Sequence, residues 1–537
     1  MALPVFNTGV VEDLGQAGSI PVRLRQAGLV LPTAKLSGNP PRHPAATQRS
    51  PSPSGAPVRS SLRATSIATV ALLALGTAVA QTASSAPAPK AGPTPGIACA
   101  KGSLPETTQG RAPAADVATG RYAQGYTCNV TEISHVAKSG GYRVERYVDA
   151  AGHECAFWDS TLLFPSSAGD QGTDGPGTYV MDMTDPAKPV ITAVLRTSAT
   201  SSPHESLRLN QKRGLLAANL AYPTFQPGVV DVYDVKADCR TPQLLASAPT
   251  GVLGHEGGFS PDGMTYWVAS LYGHTLTAID LTDPRAPLPI FFTDDYQPHG
   301  VSISDDGNTL YMAEGQFSGT PGFKGLTILD VTQVQKRVTN PSVPMISRLT
   351  WDNVGTPQNA TPFTRKGKPY LLETDEFGSG SNIGAARIID IADPRKPFVV
   401  SNLRLAVNEP KAQGDDLEAD PGNDQQFQGY QGHYCSLPSR VDPTVVACTF
   451  IMSGLRVFDI ADLTKPKEIA YHSRPVVPGS VANQPMRAGS FAMSAPAYDQ
   501  ATGDIWYSDG NSGFYVVRLT GPATRKTFSG KVVNPGN

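Results

Sequence analysis

Six positions of this chain each stand twelve residues ahead of an apolar residue that opens a short β-type run. They are His204 before Leu216, His255 before Trp267, His299 before Tyr311, Gln358 before Tyr370, His433 before Val445 and Ser494 before Trp506. Four of the six are His. Imidazole nitrogen suits first-row transition metals, so His204, His255, His299 and His433, with Gln358 beside them, form a candidate ligand set for Cu, Zn, Fe or Ni. Glu205 and Glu256 each follow a His directly. Side chains alternate along a strand, so both are expected to point away from the metal-binding face, where a carboxylate can orient an imidazole. Fifteen residues past the same frame stand Glu314, Glu373 and Asp509, joined by Asp159 and by the cluster Glu373-Thr374-Asp375-Glu376. A ring of carboxylates there would suit Ca²⁺ or a cationic ligand, although no D-x-[DN]-x-[DN]-G loop accompanies it. H-E-x-x-H, G-x-S-x-G and Gly-rich phosphate loops are absent, and nothing identifies a nucleophile.

The elements that must position these residues are hairpins. In His299-Gly-Val-Ser-Ile-Ser-Asp-Asp-Gly307 an alternating run meets an Asp-Gly turn, and the next run starts at Tyr311. A third run follows in every unit: Tyr179–Asp182, Val230–Asp234, Thr277–Asp280, Thr327–Asp330, Arg387–Asp390, Arg456–Asp459 and Tyr515–Arg518. Strand-rich units repeated at this spacing are the sequence signature of a β-propeller, and the count gives seven blades. The first strand of a blade lines the central channel, which puts the His frame at the channel or its mouth. Gly141–Val144 and Cys155–Asp159 are the first two strands of the remaining unit, and Cys128–Val136 reads as an outermost strand without a blade of its own. The expected fold is therefore all-β, a seven-bladed β-propeller closed by an N-terminal strand, which leaves no exposed edge.

Ile388-Ile-Asp-Ile-Ala-Asp-Pro-Arg-Lys-Pro397 resembles the repeat of the LVIVD-repeat proteins, exported bacterial propellers, and Pro298–Gly307 is similar to the hairpins of YVTN-type propellers. The likeness spans roughly Cys128 to Thr520 and implies fold rather than activity. In architecture alone, the chain is also similar to the selenium-binding protein and methanethiol oxidase propellers, which implies a His-rich metal site. A structural role for the same residues is open as well. Gly254-His255 and Gly432-His433 have the form of the Gly-His pair in WD-type repeats, where the ring bonds backbone between blades.

Of the 537 residues, 1–57 read as a spurious N-terminal extension, with translation starting near Val58, or as disordered. Residues 58–80 read as a signal peptide: Arg59 and Arg63 precede the apolar run Ile67–Gly76, and Ala78-Val-Ala80 supplies a cleavage site. Residues 81–117 read as a disordered Ala/Pro-rich linker, 118–522 as the propeller and 523–537 as a C-terminal tail. The whole chain carries a net charge of −2, but residues 1–80 hold seven basic and two acidic residues, so the remainder stands at −7. That argues against nucleic acid as a partner. No second apolar run is long enough to span a bilayer, and the expected product is a secreted or periplasmic monomer. The six cysteines all follow the signal and lack any C-x-x-C pair. Cys435 and Cys448 lie symmetrically about a hairpin turn and should bridge, while the partners of Cys99, Cys128, Cys155 and Cys239 stay open.

Two functions fit. The first is an exported binding or scaffold module for a protein, glycan or small molecule, with Gln358, Glu205, Glu256, Glu314 and Glu373 near the channel mouth as ligand contacts. The second is a metal-dependent enzyme, an oxidoreductase or lactonase-like hydrolase, using the four His.

Overall fold

The computed structural model of the protein describes residues 91–525 apart from 137–138, 161–175, 221–227, 251–253, 316–321, 379–380, 413–416, 422–428 and 481–487. The extension and signal segments read from the sequence, residues 81–90 of the linker and 526–537 of the tail lie outside the described residues.

Six of the seven third strands end on an Asp whose carboxylate accepts the backbone N–H two residues on. The pairs are Asp182 with Thr184 (2.9 Å), Asp234 with Lys236 (2.8 Å), Asp280 with Thr282 (2.9 Å), Asp330 with Thr332 (2.9 Å), Asp390 with Ala392 (2.8 Å) and Asp459 with Ala461 (2.9 Å). This local bond offers the chain a turn instead of a longer strand, and the repeated Asp is thereby a structural device.

Each blade is an antiparallel sheet, and in blades 1 to 5 its strands follow sequence order from the axis outward. Blade 1 is Val144–Val148, Glu154–Asp159, Thr178–Asp182 and Val190–Leu195; blade 2 is Arg208–Asn210, Leu215–Asn219, Val229–Asp234 and Gln243–Pro249. Blade 3 is Glu256–Phe259, Thr265–Ser270, Thr275–Asp280 and Leu288–Thr293; blade 4 is Pro298–Ile303, Thr309–Glu314, Gly325–Asp330 and Met345–Leu349. Blade 5 is Thr356–Arg365, Lys368–Glu376, Ala386–Asp390 and Phe398–Leu403; blade 6 is Gly432–Ser436, Val445–Phe450, Gly454–Asp459 and Lys467–Ser473. Blade 7 has three late strands, Ala497–Asp499, Asp504–Asp509 and Gly513–Leu519. Its fourth is Val130–Val136, whose ends pair Val130 with Leu519 and Val136 with Phe514. Second strands are buried on both faces because neighbouring blades pack against them, with Trp158, Trp267 and Trp506 filling the spaces. Fourth strands are mostly exposed or half-buried, as in Val190–Leu195, Leu288–Thr293 and Met345–Leu349, whereas Lys467–Ser473 of blade 6 is buried past its first residue.

Residues 91–117 depart from the expected disordered tether. Their Ala/Pro/Thr composition cannot build a core of its own, but it borrows that of blades 5 and 6. Thr94 N–H bonds the Arg404 carbonyl (2.8 Å), Arg111 makes a two-pronged pair with Asp420 (2.8 and 2.9 Å), and Glu106 does the same with Arg456 (2.8 and 2.7 Å). Tyr126–Cys128 then adds a fifth strand to blade 6 through Lys467–Ser473. The propeller unit thus begins some twenty residues before 118.

All six cysteines are bridged. Cys435 and Cys448 are register partners on adjacent strands, with Cα atoms 4.0 Å apart, as hairpin symmetry requires. The open pairs resolve as Cys99 with Cys128 and Cys155 with Cys239. The Cys99–Cys128 bridge closes a loop of 29 residues. Replacing both with Ala is expected to cost about 3–4 kcal/mol in urea unfolding, by the entropy returned to the unfolded chain. Among the described residues, no helix is long and apolar enough to cross a membrane.

Candidate metal centre

Four blades bring their imidazoles to one buried place on the axis. His299 stands in the first strand of blade 4 and His433 in that of blade 6. His255 stands just ahead of the first strand of blade 3, and His204 lies four residues before blade 2 begins. His204 adopts a left-handed backbone, φ 50°, unusual for a residue with a Cβ and found where the surroundings enforce it. The loop feeding it is held by the Asp231 carboxylate, which accepts the N–H groups of Ala199 (2.7 Å) and Thr200 (3.0 Å).

That bend redirects Glu205. Alternation along a strand predicts that its carboxylate leaves the axis, but the strand has not begun at this residue, and the carboxylate turns inward among the rings. Its Oε2 lies 3.1 Å from His255 Nε2, 3.6 Å from His299 Nε2 and 3.9 Å from His204 Nδ1, and its Oε1 lies 3.1 Å from His433 Nε2. Glu376 approaches from blade 5, with Oε1 3.5 Å from His299 Nε2 and Oε2 3.3 Å from His433 Nε2. The rings of His204 and His255 are 4.5 Å apart at their centroids, and those of His255 and His299 4.9 Å.

The second nitrogen of two rings is tied to backbone. His299 Nδ1 donates to the Pro357 carbonyl at 2.8 Å and His433 Nδ1 to the Met493 carbonyl at 2.6 Å, each on the following blade. A carbonyl can only accept, so a proton sits on Nδ1, and Nε2 faces the centre, where it offers a lone pair once the ring gives up its second proton. The inter-blade bond and the convergent nitrogen are two ends of one imidazole. By contrast, among the described residues, His204 Nδ1, both nitrogens of His255, His433 Nε2 and Glu205 Oε2 are buried without an aligned hydrogen bond.

Charge in the cluster is divided unevenly. Burial opposes the imidazolium at His433, but Glu205 and Glu376 outweigh it and lift its pKa to about 9; His299 is raised in the same way. Burial, reinforced by the other three rings against the attraction of Glu205, drives His204 well below the usual range. At Glu205, burial works against the charged form, but attraction to the surrounding imidazoles outweighs it and holds the carboxyl well down. So many ionisable groups are costly to bury unless a cation or a full set of hydrogen bonds compensates them.

Beneath this layer lies Glu256. Its Oε1 accepts from Arg143 of blade 1 (2.7 Å), Arg208 of blade 2 and Asn359 of blade 5 (2.8 Å). Arg143 also donates Nε–H to the Glu205 carbonyl (3.0 Å) and rests 4.0 Å above the Tyr434 ring. Gln358 donates to the Tyr434 hydroxyl at 2.7 Å rather than facing the imidazoles. The chain must come close here: a Cβ on Gly300 would stand 2.1 Å from both Glu256 Oε2 and the Gln358 carbonyl.

Two of the acidic candidates lie elsewhere. Glu314 is held within blade 4 by Arg348 (3.0 Å) and Thr327, and Glu373 within blade 5 by Arg387, which also binds Asp375 (2.9 Å). Glu373 and Asp375 share a strand face by the two-residue period, so the next residue, Glu376, is the one that reaches the axis. Asp159 and Asp509 likewise serve their own loops, accepting Tyr142 N–H (2.8 Å) and Phe491 N–H (2.8 Å). The motif frame did not single out Tyr142. Blade 1 brings it where others bring His, and its position in Gly141–Val144, a channel strand by the repeat frame, was the available signal.

No family model matches the chain, and no curated protein is similar to it in sequence. Solved structures resemble it in fold alone. The periplasmic gluconolactonase of Pseudomonas aeruginosa is 12% identical with a TM-score of 0.44, over 72% of this chain and 99% of that one. A putative 6-phosphogluconolactonase from Bacteroides fragilis is 11% identical with a TM-score of 0.41, over 71% and 93%. A functionally unknown protein from Desulfotomaculum acetoxidans is 10% identical with a TM-score of 0.41, over 62% and 86%.

Proposed function

We propose that this propeller is a transition-metal protein, with His204, His255, His299 and His433 as ligands and Glu205 and Glu376 as the accompanying carboxylates. The observation that carries the reading is the convergence of four imidazoles from four blades on one carboxylate, with five buried nitrogen and oxygen atoms left, among the described residues, without an aligned hydrogen bond. A docking module has no evident use for so many buried ionisable groups, since a polypeptide or glycan would be read by exposed ones.

Four imidazoles would saturate a tetrahedral zinc ion and leave it no open position for water. Iron, copper or nickel take five or six ligands and keep room for a substrate, and all six cysteines are already bridged, which removes thiolate competition. Redox chemistry on a small substrate therefore fits better than lactone hydrolysis. The disulfides agree with action in an oxidising compartment, as expected of an exported propeller of the LVIVD type.

Elemental analysis of protein reconstituted separately with Fe, Cu, Ni, Zn and Mn is expected to show about one tightly held ion per chain, with Fe, Cu or Ni preferred. The double variant His255→Ala/His433→Ala should lose most of it and keep the circular dichroism of the metal-free protein, because the strands are held by their own ladders. Protein that retains none of the five ions after dialysis would overturn the reading.

A further inference from the structure

Tyr142 is pinned on both sides of its backbone. Its N–H donates to Asp159 Oδ1 (2.8 Å), and its carbonyl accepts the N–H of Ala495 from blade 7 (2.9 Å). The ring stacks on His204, with centroids 4.2 Å apart and planes 27° from parallel, and lies 5.5 Å from the His433 ring. Ile451, Phe491 and Met493 complete an apolar wall around it. The phenol oxygen is buried and, among the described residues, has no hydrogen-bond partner. A buried hydroxyl normally finds one, because an unmade bond forfeits the solvation it had in water. Every other tyrosine beside this cluster that is fully buried has its oxygen bonded, as Tyr434 shows with Gln358.

An unpartnered O–H held rigidly between two of four convergent imidazoles is a donor waiting for an acceptor. We infer that the centre takes a small anionic ligand on the side covered by Tyr142, and that the phenol donates its hydrogen bond to that ligand. This rests on the metal reading above, since an anion would otherwise meet the carboxylates of Glu205 and Glu376 with no cation between. Tyr142 on this account positions and selects the ligand without binding the metal.

The test uses the full chain loaded with Cu(II) and titrated with azide, followed by the ligand-to-metal absorption band. Wild type is expected to bind azide, and Tyr142→Phe to bind it about tenfold or more weakly, the loss typical of a hydrogen bond to a charged group. Its metal content should be unchanged, and its metal-free melting temperature equal or higher, because an orphaned hydroxyl has been removed. Replacing Tyr142 with 3-fluorotyrosine, a more acidic donor of nearly the same volume, should tighten azide binding. Equal azide affinity in wild type and Tyr142→Phe, or loss of copper in the variant, would overturn the donor role while leaving the metal reading intact. Failure of wild type to hold copper would instead strike the metal reading itself.

Discussion

A chain that begins at residue 139 is expected not to fold into a stable ring, whereas one that begins at residue 91 should melt like the full-length protein. Removing Val130–Val136 strips blade 7 of its outer strand and exposes the donors and acceptors of Gly513–Leu519. The same cut takes the fifth strand of blade 6, the Cys99–Cys128 bridge and the Glu106 carboxylate that pairs with buried Arg456. Losses of this kind sum to a quantity comparable with the whole stability of a folded protein, about 5–15 kcal/mol. Circular dichroism melts of the two truncations decide the matter. A cooperative transition within a few degrees of full length for the chain starting at 139 would show that the clasp is dispensable.

Glu256→Ala is expected to destabilise by about 3–5 kcal/mol, the range found when one partner of a buried ionic group is removed. Glu256 is fully buried and is the shared acceptor for Arg143 and Arg208, two guanidiniums that repel one another. Its carboxyl is pushed up by burial, which the two arginines oppose. Without it the carboxyl that still acts on both arginines is Glu145, itself lifted to about 7 by burial. Glu256→Gln should cost less, because the amide oxygen can still accept from both. Adding Arg208→Met to Glu256→Ala should recover part of the loss, since one of the stranded charges is gone. Urea unfolding of the three variants measures this, and a Glu256→Ala value within about 1 kcal/mol of wild type would mean that Glu145 takes over the charge.

The blades were legible because each repeats the same local physics. An Asp that bends its own backbone, and an Asp-Gly turn between alternating runs, need no knowledge of the rest of the chain. The His frame was legible for the same reason, since blade geometry sends equivalent positions to one axis. What escaped, the inward direction of Glu205 and Glu376, the place of Tyr142 and the packing of residues 91–117, depended on the exceptions to that geometry. Glu205 follows a left-handed His204, so the alternation rule does not apply to it. Glu376 sits three residues beyond the repeat position of Glu373, on the opposite face of a strand that runs longer than its counterparts. Tyr142 is chemically unlike the His it stands among. Residues 91–117 have a composition that reads as disorder because composition cannot register a core supplied by distant segments.

The pairing of Val136 with Phe514 also sets an order of events. Val130–Val136 waits for Gly513–Leu519, nearly 380 residues later in the chain, and until then blade 7 has no outer strand. The axial cluster shares that schedule: Tyr142 precedes the first blade, and Met493, which anchors the His433 ring, immediately precedes the last. A chain clipped before Gly513 therefore lacks the partner of Val130–Val136, and blade 7 loses its outer edge.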